Sequence, residues 1–355
     1  MSDLPDSISH DLIALSLLPS RCWLAVAEQL RSGSPAAEVL RTIIDRHWPD
    51  RPGHAERLRS GAQAAAAAAR SAGIAPIGWD DASYPIALTT VVDPPPVLWL
   101  RGSVEFLNAP AVAIVGARAA SPYGLSVAER LASDIASAGV VVVSGMARGV
   151  DSAAHRGALA AGGATIAVLG SGVDVIYPPE HAPLARDIAA AGAVISELAP
   201  GTPPLPQFFP LRNRIISGLC RAVVVIEAGE KSGSLITARM ALEQGREVLA
   251  VPGNVLSGRN RGTHALLRDG AKIVESADDI LEELGMPSAV PHAGHAVTDP
   301  VLAALTPGEA SDLDAIAERT GLTPTRLLPR LFELELQGAV ARVGGGKFVR
   351  VDSSC

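Results

Sequence analysis

The chain has 355 residues, a formal net charge of −7 and 48% hydrophobic residues. That length suggests two or three domains with a substantial core. The negative balance argues against a broad, unspecific polycation for nucleic acid, but it leaves room for a focused basic site, because screening lets local charge dominate. Cys22, Cys220 and Cys355 are far apart and form no CxxC pair, which argues against a disulfide framework or a cysteine zinc site.

The first residues, MSDLPDSISHD, carry no basic segment followed by an apolar one, and the longest apolar runs are broken well short of a membrane span. A cytoplasmic protein with no membrane partner is expected. Residues 8–75 read as short helices. Leu12 to Leu18 form an apolar cluster ended by Pro19, Ser34-Pro35 reads as an N-cap with Pro at N1, and Ala62–Ala69 is a strong helix former. Residues 1–75 therefore form a helical module. Residues 76–103, with Tyr84-Pro85 and Pro94-Pro95-Pro96, read as a turn-rich connector ending in a short strand at Val97–Leu100.

From 104 to 285 the pattern alternates. Apolar, β-rich runs at Ala111–Val115, Val140–Ser144, Thr165–Leu169, Ala193–Ser196, Ala222–Glu227 and Glu247–Val251 are separated by helical segments. Strands apolar on both faces alternating with helices predict an α/β domain over 76–285, a doubly wound parallel sheet of Rossmann type. Residues 286–298 have linker composition. Residues 299–355 restart as helix, helix and two strands around Gly344-Gly345-Gly346, the outline of a winged helix.

In such a sheet ligands sit beyond the carboxyl ends of the strands. After the first central strand comes Gly116-Ala117-Arg118, with Ser121, Tyr123 and Gly124 before a helix; Gly lets a phosphate approach and Arg118 offers a planar fork. After the second comes Ser144-Gly145-Met146-Ala147-Arg148-Gly149, with Asp151 as a candidate helix cap and His155 read as structural. Gly170-Ser171-Gly172 begins like a dinucleotide fingerprint, but Val175 stands at the third glycine position. Arg212-Asn213-Arg214 lies beside Phe208 and Phe209, which combines phosphate-binding cations with aromatics for base stacking. Packing of these two Phe residues in the core is the competing reading. Lys231-Ser232-Gly233-Ser234 resembles a Walker loop, yet Glu230 replaces the required Gly. No cofactor follows from these loops; an oxyanion does. Arg259 and Arg261 extend the basic rim or sit in a solvated loop. Between 101 and 285 there are 16 Lys/Arg against 18 Asp/Glu, so any anion site depends on concentrating cations at one sheet edge.

The strings VAIVGAR with SPYG, VVSGMARGVDSAAHRGAL, TIAVLGSGVDVIYPPEH, FFPLRNRIISGL, VVVIEAGEKSGSLITARMALEQGREVLAVPGN and GTHALLRDGA together resemble the DNA-processing protein A (DprA/Smf) family. The resemblance spans about residues 84–275. It implies an extended Rossmann domain that binds single-stranded DNA, protects incoming strands in natural transformation (competence) and helps load the RecA recombinase. It further implies a homodimer through this domain, no catalysis, and a SAM-like N-terminal module. The implied DNA contacts are Arg118, Arg148, Arg212 and Arg214, with Lys231 and Ser232–Ser234 nearby; Gly116, Ser144, Gly145, Gly170, Phe209 and Asn213 complete the candidate site. His264 stands where the family string carries Asn. Two other functions remain open: a nucleotide-processing enzyme of phosphoribohydrolase type, for which Glu197 and Glu227 are the strand-end acids, and a nucleotide-sensing adaptor. Residues 299–355 carry 6 Lys/Arg and 8 Asp/Glu; the recognition helix offers Arg326 and Arg330 but also Glu333 and Glu335. That balance favours a protein-interaction wing over a duplex reader.

Overall fold

The computed structural model describes residues 8–287, 299–306, 310–336, 339–343 and 346–350. The chain divides into two compact units, Met1–Ala289 and Val290–Cys355.

The first unit is built on nine strands: β1 (Ala75–Gly78), β2 (Val97–Gly102), β3 (Ala111–Val115), β4 (Val141–Ser144), β5 (Thr165–Val168), β6 (Ala193–Ser196), β7 (Ala222–Val225), β8 (Glu247–Ala250) and β9 (Lys272–Ile273). Their order is β1-β2-β6-β5-β4-β3-β7-β8-β9. From β6 to β9 every neighbour is parallel, while β1 and β2 add antiparallel at the β6 edge. Strands β3 to β7 are buried along their whole length, which is why they read as unbroken Val, Ile and Ala runs.

The helices are α1 (His10–Ser16), α2 (Trp23–Arg31), α3 (Ala36–His47), α4 (His54–Ser71), α5 (Ile86–Thr89), α6 (Pro122–Ser137), α7 (Val150–Ala160), α8 (Ala182–Ala191), α9 (Phe208–Gly218), α10 (Ser234–Glu243), α11 (Arg261–Arg268) and α12 (Ala277–Glu283). On one face of the sheet α6, α7 and α12 bury Leu131, Ile135, Ala154 and Ile280 against Val112, Ile114 and Val224. On the other, α5, α9 and α10 bury Leu88, Ile215, Ile216 and Ala238 against Ala113, Val223 and Val225.

The N-terminal helices share one core with β2: Leu12, Ile13, Leu40 and Ile43 pack with Val97 and Trp99. The expected Ser34 cap is not made. Pro35 is the N-cap of α3, and the Ser34 hydroxyl lies 3.2 Å from that of Ser32.

The second unit holds α13 (Pro300–Ala303), α14 (Leu313–Thr320), α15 (Pro324–Leu336) and the antiparallel hairpin β10 (Val340–Val343) and β11 (Lys347–Arg350). Asp312 caps α14 by accepting from the Ala315 amide at 2.8 Å. Val301, Ile316, Leu327, Leu331 and Phe348 form its own core. Most of the expected linker, residues 288–298, and the hairpin-tip residues 344–345 lie outside the described residues. No helix among the described residues is long and apolar enough to cross a membrane.

Candidate nucleic-acid interface

The chain runs from β3 outward to β6 on one side, then returns to lay β7 on the other flank of β3. Loops leaving β3 and β7 therefore diverge and open a crevice at the sheet's carboxyl edge. A cavity of about 730 Å³ lies there. Its walls include Gly116 and Arg118 after β3, Phe209, Arg212 and Asn213 of α9, and Lys231 to Ser234 ahead of α10.

The aromatic part of the wall is a short cluster. The Arg118 guanidinium carbon lies 5.5 Å from the centroid of the half-buried Phe209 ring, and Tyr177 lies 5.6 Å from the same ring on a tilted plane. Phe208 and Phe209 are both half-buried. Tyr177 is not among the residues singled out from the sequence; an aromatic shortly after the Gly170-Ser171-Gly172 turn was the available signal. The wall residues Ile236 and Thr237 on the first turns of α10 also went unread.

Four of the five predicted basic residues split into two groups. Arg118 and Lys231 are exposed at the cavity. Arg212 and Arg214 are buried, each 5% exposed. Both were expected in a strand-end loop; both sit inside α9, which starts at Phe208 because Pro210 falls in the first turn, where Pro costs no hydrogen bond.

Arg212 reaches under the cavity floor and donates from Nη1 to the carbonyls of Gly145 (2.7 Å) and Val168. A Cβ at Gly145 would overlap the guanidinium, so any larger residue there displaces Arg212. Burial lowers the Arg212 pKa to about 10, with Asp151 pulling the other way, so it remains a cation at neutral pH. Asp151 is buried and lines the cavity. It does not cap α7, whose N-cap is Gly149; its Oδ2 instead accepts from the amides of Gly145 (3.2 Å) and Ala147 (3.3 Å) and so fixes the loop. Burial pushes the Asp151 carboxyl above its usual range, against the pull of Arg212, the two amides and Arg118.

Arg214 belongs to the architecture. It forms a two-pronged pair with Glu197, at 2.9 Å and 2.7 Å, and donates to the Asp93 carboxylate at 3.1 Å. Its guanidinium carbon lies 4.9 Å from the Trp23 ring of α2. Burial alone would lower its pKa, but Glu197 and Asp93 outweigh that and hold it above the ordinary value. Arg148 is exposed, lies outside the cavity lining and pairs with Glu180 at 2.6 Å. Ser144 donates to the Ile114 carbonyl at 2.7 Å and ties β4 to β3. Gly170 stands against the Phe209 ring, and Gly116 against Val150.

The α6 N-terminus, expected to face an anion, already holds one. Ser121 is its N-cap, and the buried Glu227 accepts from the Ser121 amide (3.1 Å) and hydroxyl. Glu197 and Glu227 are thus each occupied by a partner within the fold. The Ser232 and Ser234 hydroxyls, 2.8 Å apart, leave a polar turn at the start of α10. His155 is buried in α7, with Nδ1 2.7 Å from the Thr165 hydroxyl.

Residues 75–285 match a family model described as DNA recombination-mediator protein A, and residues 287–346 match one described as the DprA winged helix domain. The chain belongs to the DNA-processing protein A family. The nine-stranded unit carries its Rossmann-like domain and the second unit its winged helix. Protein Smf of Escherichia coli (strain K12) is 40% identical over 289 residues, covering 78% of this chain and 77% of that protein. DNA processing protein DprA of Streptococcus pneumoniae (strain R6) is 46% identical over 203 residues, 57% of this chain and 72% of that one. Among solved structures, S. pneumoniae DprA superposes with a TM-score of 0.68 at 37% identity, covering 78% of this chain and 98% of that one. DNA processing protein A from Helicobacter pylori, solved for its single-stranded DNA binding mode, superposes with a TM-score of 0.54 at 30% identity over 59% of this chain and 95% of its own.

Proposed function

We propose that this member of the DNA-processing protein A family binds single-stranded DNA in the switch-point cavity, without catalysis, as a recombination mediator during DNA uptake. The observation that carries the reading is the combination at one crevice of two exposed cations, Arg118 and Lys231, a pair of neighbouring aromatic rings, Phe209 and Tyr177, and the Ser232–Ser234 turn. Cations at the rim attract phosphates, and stacked rings hold bases that are free of a duplex partner. Arg212, buried beneath Gly145, adds a fixed positive charge under the floor, while Gly116, Gly145 and Gly170 let elements pack closely around the crevice. Asn213 lines the wall. Arg148 and Arg214 enter as supports, held by Glu180 and Glu197. Handover of the strand to RecA, a homodimer through the Rossmann domain and a cytoplasmic location belong to the same reading, supported by family membership. The dimer would present two crevices to one strand and raise avidity.

The deciding experiment is a salt-dependent titration of dT oligomers of several lengths against duplex. Binding that strengthens with oligomer length and prefers dT over duplex is expected. Arg118→Ala and Lys231→Ala should each weaken it and lower the salt slope by about 0.7 per lost phosphate contact. Equal affinity for a mononucleotide and a long oligomer would point to a nucleotide sensor, and base release from nucleoside monophosphates to an enzyme.

A further inference from the structure

We propose that the loop after β8, residues 252–261, is a second phosphate subsite for the same strand, with Arg259 and Arg261 as its cations. This rests on the single-strand reading of the first cavity. A second, shallow and open depression of about 450 Å³ is lined by Glu230, Ser257, Gly258, Arg259 and Arg261. Glu230 lines this cavity and Lys231 the first, so a single turn ahead of α10 separates them. A strand leaving the first cavity past Lys231 would reach Arg261 and Arg259 across Glu230, the carboxylate that lines the second.

The loop is built rather than loose. Tyr123 donates to the Pro252 carbonyl at 3.2 Å, and His264 Nε2 lies 3.1 Å from the Gly253 carbonyl. Asn254 Oδ1 accepts from the Leu256 amide at 2.8 Å, and the Ser257 hydroxyl donates to the Asn254 carbonyl at 3.0 Å. Arg259 donates to the Ala119 carbonyl at 2.8 Å, which ties this loop to the one carrying Arg118. Both guanidinium side chains nonetheless remain open to solvent, 54% exposed for Arg259 and 67% for Arg261. Preorganised donors lose less freedom on binding than donors on a mobile loop.

Two carboxylates stand near. Glu227 lies 4.0 Å from Arg259 but is buried and already engaged by Ser121. Glu230 pairs with Arg261 at 3.4 Å between two exposed side chains, a contact that water holds weakly and a phosphate can replace. Residues 252–261 include no aromatic. The subsite therefore reads backbone charge without stacking, and its contribution is salt-dependent and indifferent to base.

The test uses the full chain and fluorescence anisotropy with dT oligomers of increasing length. For the Arg259→Ala/Arg261→Ala double variant, the shortest oligomers that bind should keep wild-type affinity, long ones should bind about ten-fold more weakly, and the salt slope for long ones should fall by about 1.4. Glu230→Gln should tighten long oligomers more than short ones. Wild-type affinity at every length in the double variant, or the same loss at every length, overturns the second subsite while leaving the first intact. No effect of Glu230→Gln on long oligomers counts against it too. Failure of Arg118→Ala and Lys231→Ala to weaken any oligomer overturns the first reading and this one with it.

Discussion

Two arginines, two residues apart on α9, show how little a residue type says about its task. Arg212 props the cavity floor through backbone carbonyls, and Arg214 joins the end of β6, the connector and α2 through Glu197 just after that strand, Asp93 and Trp23. Truncating Arg214 strands Glu197 in a buried site. Arg214→Ala is therefore expected to cost about 3–5 kcal/mol of stability in chemical denaturation, whatever it does to DNA. Lys231→Ala, at an exposed position, should leave the denaturation midpoint within about 0.5 kcal/mol and still weaken oligo-dT. A Lys231 variant that unfolds early would contradict this division.

His155 makes a second prediction at this scale. Burial first, then the charges of His181, Arg212 and Arg156, lower its pKa from the ordinary 6.5 to about 3. Between those values the unfolded chain takes up a proton that the folded chain refuses. The neutral ring's contribution is complete above pH 6.5 and is lost as pH falls toward 3. Denaturation midpoints should drop from about pH 7 to about pH 5, and His155→Gln should drop less over the same interval. Parallel losses would refute the assignment.

The loops that leave β3 and β4 touch, and one residue allows it. Gly149 adopts φ 78°, and a Cβ there would meet the carbonyl oxygens of Ala117 and Arg118. Gly149→Ala should cost roughly 1–3 kcal/mol and loosen Arg118, so it should affect both the denaturation midpoint and oligo-dT affinity, unlike Lys231→Ala. Helices and strands at this scale were legible because buried parallel strands need apolar residues on both faces and amphipathic helices need a 3.6-residue period. The start of α9 was not. Pro210 and two arginines in FFPLRNR look like a loop, and only its position in the first turn reconciles that Pro with a helix.

The two units have separate cores. Val301, Leu327 and Phe348 pack among themselves, and none of the first unit's core clusters draws on residues beyond Met286. Removing 290–355 should leave the first unit folded, with oligo-dT affinity unchanged, because that segment carries 6 Lys/Arg against 8 Asp/Glu. A large loss of dT binding on truncation would show that the wing contributes to the strand site.

By itself the sequence determined the doubly wound sheet and the helix-helix-hairpin outline of the C-terminal unit. These follow from local spacing, which a one-dimensional pattern records. Only the tertiary structure decided which cations are free to meet DNA. Arg214 finds Asp93 from 121 positions away and Glu227 finds Ser121 from 106. Pairing across such distances depends on which strands become neighbours. Whether an arginine faces a phosphate or a carboxylate is therefore settled by the fold and not by the residues beside it.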